Sequence, residues 1–237
     1  MEMELKQKEK ELASFIGRLL REHFGKGPGS VYASIADPYI TIYFTQFLSP
    51  MENKLLANKQ STYVQKIRDL LMKPLVEEIK VYIELHTDIE IEDFYYDWDL
   101  ETQSGMFAGF GSVRQNKDYI PFRNQEAVHD MIAKLTEEVQ KLPGEIYSCV
   151  LNPRTLLVVR ERIFIQLEKE LIHMGFQENL RIAKRRLEKG MLLQNKEIFE
   201  KLIGTTIVNI YVDWDFKEDK SAILFILQPN EYRAAMG

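Results

Sequence analysis

Four groups of residues in this chain have the types and spacing for chemistry. "GKGPGS", residues 25–30, sets Lys26 among Gly25, Gly27 and Gly29 and ends on Ser30. Glycines let backbone amides close on an anion, and a lysine adds charge. A phosphate loop, however, follows a strand and opens a helix, whereas this segment follows a helical pattern and precedes a strand. A helix cap and turn is the competing role of the same residues. Taken with Ser49 and Glu52 of "FLSPMENKLL", the set Lys26, Gly27, Gly29 and Ser30 makes a candidate site for a small anion or a nucleotide.

The second group is basic. "RIAKRRLEKG" contains Arg181, Lys184, Arg185 and Lys189, of which Arg181, Arg185 and Lys189 recur at four-residue spacing along a helix. Such a stripe could meet nucleic-acid phosphate or an anionic lipid surface. With Ile182, Ala183 and Leu187 interleaved as a core stripe, the alternative is an ordinary solvated helix face.

The third group is acidic: each of the two tryptophans, Trp98 and Trp214, sits in an Asp-Trp-Asp triplet, with Asp97, Asp99, Asp213 and Asp215 around them. Hard cations take such oxygen ligands. In a strand the two acids of one triplet lie about 7 Å apart on one face, too far for one ion without further ligands. The alternation instead predicts tryptophan on the core side and all four acids toward water.

The last group is the nucleophiles and bases. His23, His86, His129 and His173 have neither zinc-site nor dyad spacing, and no Gly-x-Ser-x-Gly occurs. Cys149, alone in the chain, lies in "IYSCVL", a strand-like alternation that predicts a small buried hydrophobe. Hence no catalytic residue, metal or cofactor is assigned, and the chain reads as non-enzymatic.

The elements that hold these groups come in two copies. Sliding the chain on itself by 116 residues pairs Asp97, Trp98 and Asp99 with Asp213, Trp214 and Asp215, and also Glu52 with Glu168, Leu71 with Leu187 and Ile91 with Ile207. Nearer each start the offset is 115, pairing Gly29 with Gly144 and Pro38 with Pro153. Repetition at a fixed period signals duplication.

In the first copy, Leu12, Phe15, Ile16, Leu19 and Leu20 recur at helical spacing, with Gly25 as the stop. "SVYASIA" and "YITIYFTQF" predict a hairpin around "DP". A short helix is expected at "SPMENKLL" with Pro50 in its first position. A long helix follows, capped by Thr62 and Gln65, with Val64, Ile67, Leu71, Leu75, Ile79 and Tyr82 as its core stripe. Pro74 and its counterpart Gly190 predict a kink or break in both long helices.

A closing hairpin ends each copy, its last strands being "MFAGFG" and "AILFIL". The expected fold is α+β: two tandem two-layer α-β-β-α-β-β repeats, residues 1–113 and 119–230, with helices packed on an antiparallel sheet. A polar joint over residues 111–122 separates them. If "AILFIL" lies at a sheet edge, it could pair across a homo-oligomer.

Composition narrows the classes. The net charge of -5 and pI near 5.6 give no strong nucleic-acid signal. The residues up to Asn116 hold 13 basic and 18 acidic side chains, the remainder 18 of each, so the acidity belongs to the first copy. The N-terminus is charged throughout, unlike a signal peptide, and the longest uncharged stretch, 38–51, is too short for a transmembrane helix. A cytoplasmic protein is expected, touching any membrane from the water side.

The order "HFGKGPGSV", strand pair, "FLSPMENKLL", "VQKIRDLL" and closing hairpin with "GMFAGF" resembles the MpsC-like family, named after a bacterial sodium-translocating, membrane-potential-generating system. The resemblance covers residues 8–111, and the second copy through its back half. "LPGEI" and "FIQLEKEL" there lack the glycine-rich turn and the counterparts of Ser49 and Pro50. The membrane components of such systems resemble ion-translocating respiratory subunits linked to inorganic-carbon uptake. The resemblance therefore implies a peripheral, accessory role beside a membrane transport complex, and supplies no catalytic residues.

Overall fold

The computed structural model describes residues 2–112 and 122–228 and divides the chain into two compact units, Met1–Gln115 and Asn116–Gly237. The expected joint, except for its ends, lies outside the described residues. In the first unit, helix α1 (Glu2–Phe24) leads to strands β1 (Ser30–Ala36) and β2 (Tyr39–Thr45), helices α2 (Pro50–Ala57) and α3 (Ser61–Thr87), and strands β3 (Ile91–Asp99) and β4 (Ser104–Gly111). The second unit repeats the order with α4 (Gln125–Val139), β5 (Glu145–Asn152), β6 (Thr155–Glu161), α5 (Gln166–His173), α6 (Gln177–Gln194), α7 (Lys196–Ile203), β7 (Ile207–Asp215) and β8 (Lys220–Leu227). Each unit is α+β with one four-stranded antiparallel sheet, ordered β1-β2-β4-β3 and β5-β6-β8-β7.

The core follows from the apolar spacing. Leu12, Ile16, Leu19 and Leu20 of α1 and Leu75 and Ile79 of α3 close on one sheet face, where Ile40, Ile42, Phe44, Phe107 and Trp98 meet them. Trp98 is 1% exposed, its ring 5.6 Å from that of Phe107 in an edge-on contact. In the second unit Trp214, also 1% exposed, joins Phe164, Phe199 and Phe225 in the equivalent core.

Four expectations about the elements are corrected. The last strands β4 and β8 are interior, hydrogen-bonded on both sides, so "AILFIL" offers no edge for a partner. Helix α3 runs through Pro74 as one helix, so of the expected kink or break there is no break. Proline at position 74 deprives the Leu70 carbonyl of its helical donor, and Leu70 is 55% exposed. The second copy does break, but at Asn195, five residues past Gly190, where the Asn195 amide donates to the Met191 carbonyl at 2.9 Å in competition with the helix. Finally, α3 starts at Ser61 behind Gln60 without a side-chain cap, so Thr62 and Gln65 form no capping box.

Candidate functional site

The best-formed polar cluster of the first unit grows from the start of α2. Ser49 precedes it in extended conformation; its hydroxyl accepts from the Glu52 N–H at 3.3 Å, and the Ser49 N–H donates to Glu52 Oε2 at 2.7 Å. This reciprocal cap serves two of the backbone donors that any helix start leaves open. The same carboxylate takes both Nε and a terminal nitrogen of Arg68, at 2.6 and 3.1 Å. Arg68 is wholly buried, donates to the Phe47 carbonyl at 2.9 Å, and lies 4.8 and 4.9 Å from the rings of Phe47 and Trp98. A guanidinium over an indole face is favourable, most so when desolvated. Burial pushes the Glu52 pKa up, but the Arg68 hydrogen bonds and charge, with Ser49, outweigh it and hold the carboxyl below its ordinary value.

The second unit repeats this arrangement with other chemistry. Glu168 and Lys184 stand where Glu52 and Arg68 stand, their ion pair 2.7 Å long, and the ammonium lies 5.1 Å from the rings of both Phe164 and Trp214. Ile165 replaces Ser49, so only half the cap survives, the Ile165 N–H donating to Glu168 at 3.0 Å. Thus each tryptophan carries the cation of a buried ion pair that seats the short helix.

Around that pair the second unit has added charge. Lys184 also meets Glu188 at 2.8 Å; Glu188 takes Arg160 at 2.7 Å; Arg160 donates to Ser221 at 2.8 Å and Thr136 at 2.9 Å. The positions of Arg160, Glu188 and Ser221 are those of Phe44, Met72 and Gly105 in the first unit. There Phe44 lies so close to Gly105 that a Cβ on the glycine would fall 2.5 Å from the ring. The two copies therefore solve one core position in two self-consistent ways, aromatic over glycine or guanidinium to serine. Burial raises the Glu188 pKa, yet the charges of Arg160 and Lys184 dominate and keep it below the ordinary carboxyl range. Beside the network, Arg160, Glu188, Thr136, Leu135 and Met191 line a recess with room for about one water molecule.

These contacts correct the basic stripe. Lys184, Arg185 and Lys189 are buried, Lys189 with its ammonium 4.9 Å from the Tyr211 ring. Arg181 pairs with Asp213, donates to the Trp214 carbonyl at 3.1 Å and lies over Phe216 at 5.0 Å. The helix is turned opposite to expectation: its charged side faces inward, while Ala183 and Leu187, expected in the core, are exposed. Ile67 of α3 is likewise 41% exposed.

The Asp-Trp-Asp triplets are corrected in part. Asp97 and Asp213 are buried, Asp97 accepting from the Trp98 N–H at 2.7 Å and Asp213 paired with Arg181. Asp99 and Asp215 tie the hairpin turns, accepting from the N–H groups of Glu101 and Thr102 and of Lys217 and Glu218 at 2.8 to 3.1 Å. Among the described residues no three His, Cys, Asp or Glu side chains gather as a metal site would require.

The glycine-rich segment caps α1. Gly25, at φ +72°, takes the left-handed conformation that ends a helix, and Gly29 is packed so tightly that a Cβ would meet the Gln46 side chain at 2.1 Å. Lys26 is exposed beside them, with Gly27 and Ser30 half-buried. This turn and the α2 cap meet through the rings of Phe24 and Phe47, 5.2 Å apart, while the polar atoms of Ser49 and Glu52 are turned to the helix start and Arg68. One pair escaped the sequence reading: the His129 imidazole lies 2.7 Å from the Ser148 hydroxyl, a link from α4 to β5 with no local spacing to announce it. Ser148 is 2% exposed, which keeps substrates from its oxygen. Burial lowers the His129 pKa against the opposing charges of Asp130 and Glu126.

Two segments, residues 4–109 and 124–229, match the family model described as "Na+-translocating membrane potential-generating system (MpsC)". The chain belongs to the MpsC family, as two tandem copies. The second copy matches over residues 124–229 and not through its back half alone. No curated protein and no solved structure matches the chain.

Proposed function

From membership of that family we propose that the protein serves a sodium-translocating membrane system, of the kind linked to inorganic-carbon uptake, as a non-enzymatic, peripheral component on its cytoplasmic side. The observation that carries this reading is the family match over both repeats. Two features of the site support action by binding. Buried ionisable groups at the start of the short helix of each unit answer one another: Glu52 with Arg68, and Glu168, Lys184, Glu188 and Arg160 in one chain of contacts. Groups so paired hold a fold together and are poorly placed to exchange protons with a substrate. No described helix is long and apolar enough to cross a membrane, so attachment through the described residues would run through a partner or the surface.

The test is purification of the tagged chain from cells under mild detergent. Enrichment of ion-translocating membrane subunits over an untagged control is expected. Recovery of the chain without any membrane component would refute the membrane-system reading.

A further inference from the structure

Helix α3 buries one face and presents another that is also apolar. Tyr63, Ile67, Leu70, Val81 and Leu85 are 61, 41, 55, 54 and 75% exposed, and Pro74 is exposed among them. At about 100° per residue these six fall within roughly 60° of one another around the helix, a straight stripe about 33 Å long. Monomers expose scattered apolar side chains freely, but an aligned patch marks an interaction site. The duplication supplies a control, because the same positions of the second repeat are Asn179, Ala183, Arg186, Gly190, Glu197 and Lys201. The fold therefore does not require an apolar stripe there.

Charges along one flank say what covers it. Lys66 and Lys73 lie beside the N-terminal half of the stripe and Glu77 and Glu84 beside the C-terminal half, all four exposed. In an antiparallel pair of identical helices related by a twofold axis, the same flank of both helices lies on the same side. One register then sets Lys66 against the partner's Glu84 and Lys73 against the partner's Glu77 at once. That register centres on residues 74–75, which also brings Tyr63 toward the partner's Leu85 and Ile67 toward the partner's Val81. In a parallel twofold pair this flank falls on opposite sides of the two helices, so neither Lys66 with Glu84 nor Lys73 with Glu77 could meet across the seam. An anionic membrane would be repelled by Glu77, Glu78 and Glu84.

We propose that the exposed face of α3 is a homodimer interface in which two copies of this chain pair antiparallel through their first repeats. A contact of this length and one helix width buries roughly 600–800 Å² in total, below the roughly 1,200 Å² of stable specific interfaces, so the dimer is weak, transient and concentration-dependent. The proposal rests on α3 alone and stands apart from the membrane-system reading.

Sedimentation velocity of the full chain over a wide concentration range tests it. A monomer–dimer equilibrium is expected. The pair Ile67→Glu and Val81→Glu, at exposed positions that leave the circular dichroism spectrum unchanged, should raise the dissociation constant at least tenfold. Lys66→Glu with Lys73→Glu should weaken self-association likewise, and so should Glu77→Lys with Glu84→Lys, yet a mixture of these two variants should associate. For orientation, a chain carrying both Tyr63→Cys and Leu85→Cys should cross-link to a covalent dimer on oxidation, and the Tyr63→Cys chain alone should not. A chain that stays monomeric at every concentration would overturn the proposal. So would a dimer indifferent to the Ile67 and Val81 changes, or a monomer that floats with anionic vesicles.

Discussion

The two solutions of one core position give the sharpest energetic prediction. Replacing Glu188 alone by Met, its first-repeat counterpart, leaves Arg160 and Lys184, 3 and 4% exposed, with an uncompensated charge in the interior. Removing one partner of a buried pair costs about 3–5 kcal/mol. Arg160→Phe alone is no better, because the aromatic ring needs a glycine beneath it and meets Ser221 instead, as the 2.5 Å approach of Phe44 to a Cβ on Gly105 demonstrates. Making all three changes, Arg160→Phe, Glu188→Met and Ser221→Gly, copies the first-repeat solution and leaves Lys184 paired to Glu168, as Arg68 is to Glu52. Apolar replacement of a whole buried network is neutral or stabilising by about 1–4 kcal/mol. The triple variant should thus recover everything the single variants lose, a coupling that additive contributions cannot produce. Urea unfolding followed by Trp214 fluorescence in a Trp98→Phe background reads the second repeat. A Glu188→Met cost below about 1 kcal/mol, or a triple variant no more stable than the singles, would refute the reasoning.

Other perturbations follow from the same contacts. Glu52→Gln, which strips a wholly buried Arg68 of its countercharge, should cost about 3–5 kcal/mol in denaturant unfolding. Ser49→Ala removes only the cap and should cost about 1 kcal/mol. Gly105→Ala should destabilise by about 1–3 kcal/mol through the Phe44 clash. Gly190→Ala, where a Cβ meets nothing within 4 Å inside α6, should stabilise by about 0.5–1 kcal/mol. The lowered pKa of His129 means the unfolded chain binds its proton first, so this contribution is intact above pH 6.5 and lost as pH falls toward the folded value. The lowered pKa values of Glu52 and Glu188 act in the same direction below pH 4.5. His129→Gln should flatten the upper part of a stability–pH curve and leave the acidic part in place.

The repeat, the hairpins, the start of the short helix at Pro50 and the buried tryptophans were legible in the sequence because each leaves a local mark: a period, an alternation, a proline at a helix start. What failed was the orientation of charge. Arginine and lysine at helical spacing ordinarily mark a water-facing side, yet α6 turns Lys184, Arg185 and Lys189 inward because Glu168, Glu188 and the Trp214, Phe164 and Tyr211 rings wait there. Those partners lie on other elements, or a full helical turn away, and no window of sequence displays them. Asp97 and Asp213 misled for the same reason, since strand alternation reports the side of a residue and not whether that side is wet. The His129–Ser148 contact joins residues nineteen apart on different elements and had no pattern at all.

Membership in the MpsC family ties the account to a sodium-translocating membrane system, and the most direct test is where the native, untagged chain resides. Cell membranes should be collected from a strain with an intact ion-translocating complex and from one lacking its membrane subunits, and the chain quantified in each. The account predicts membrane-bound protein in the first and its release to the soluble fraction in the second. The same distribution in both strains would contradict it.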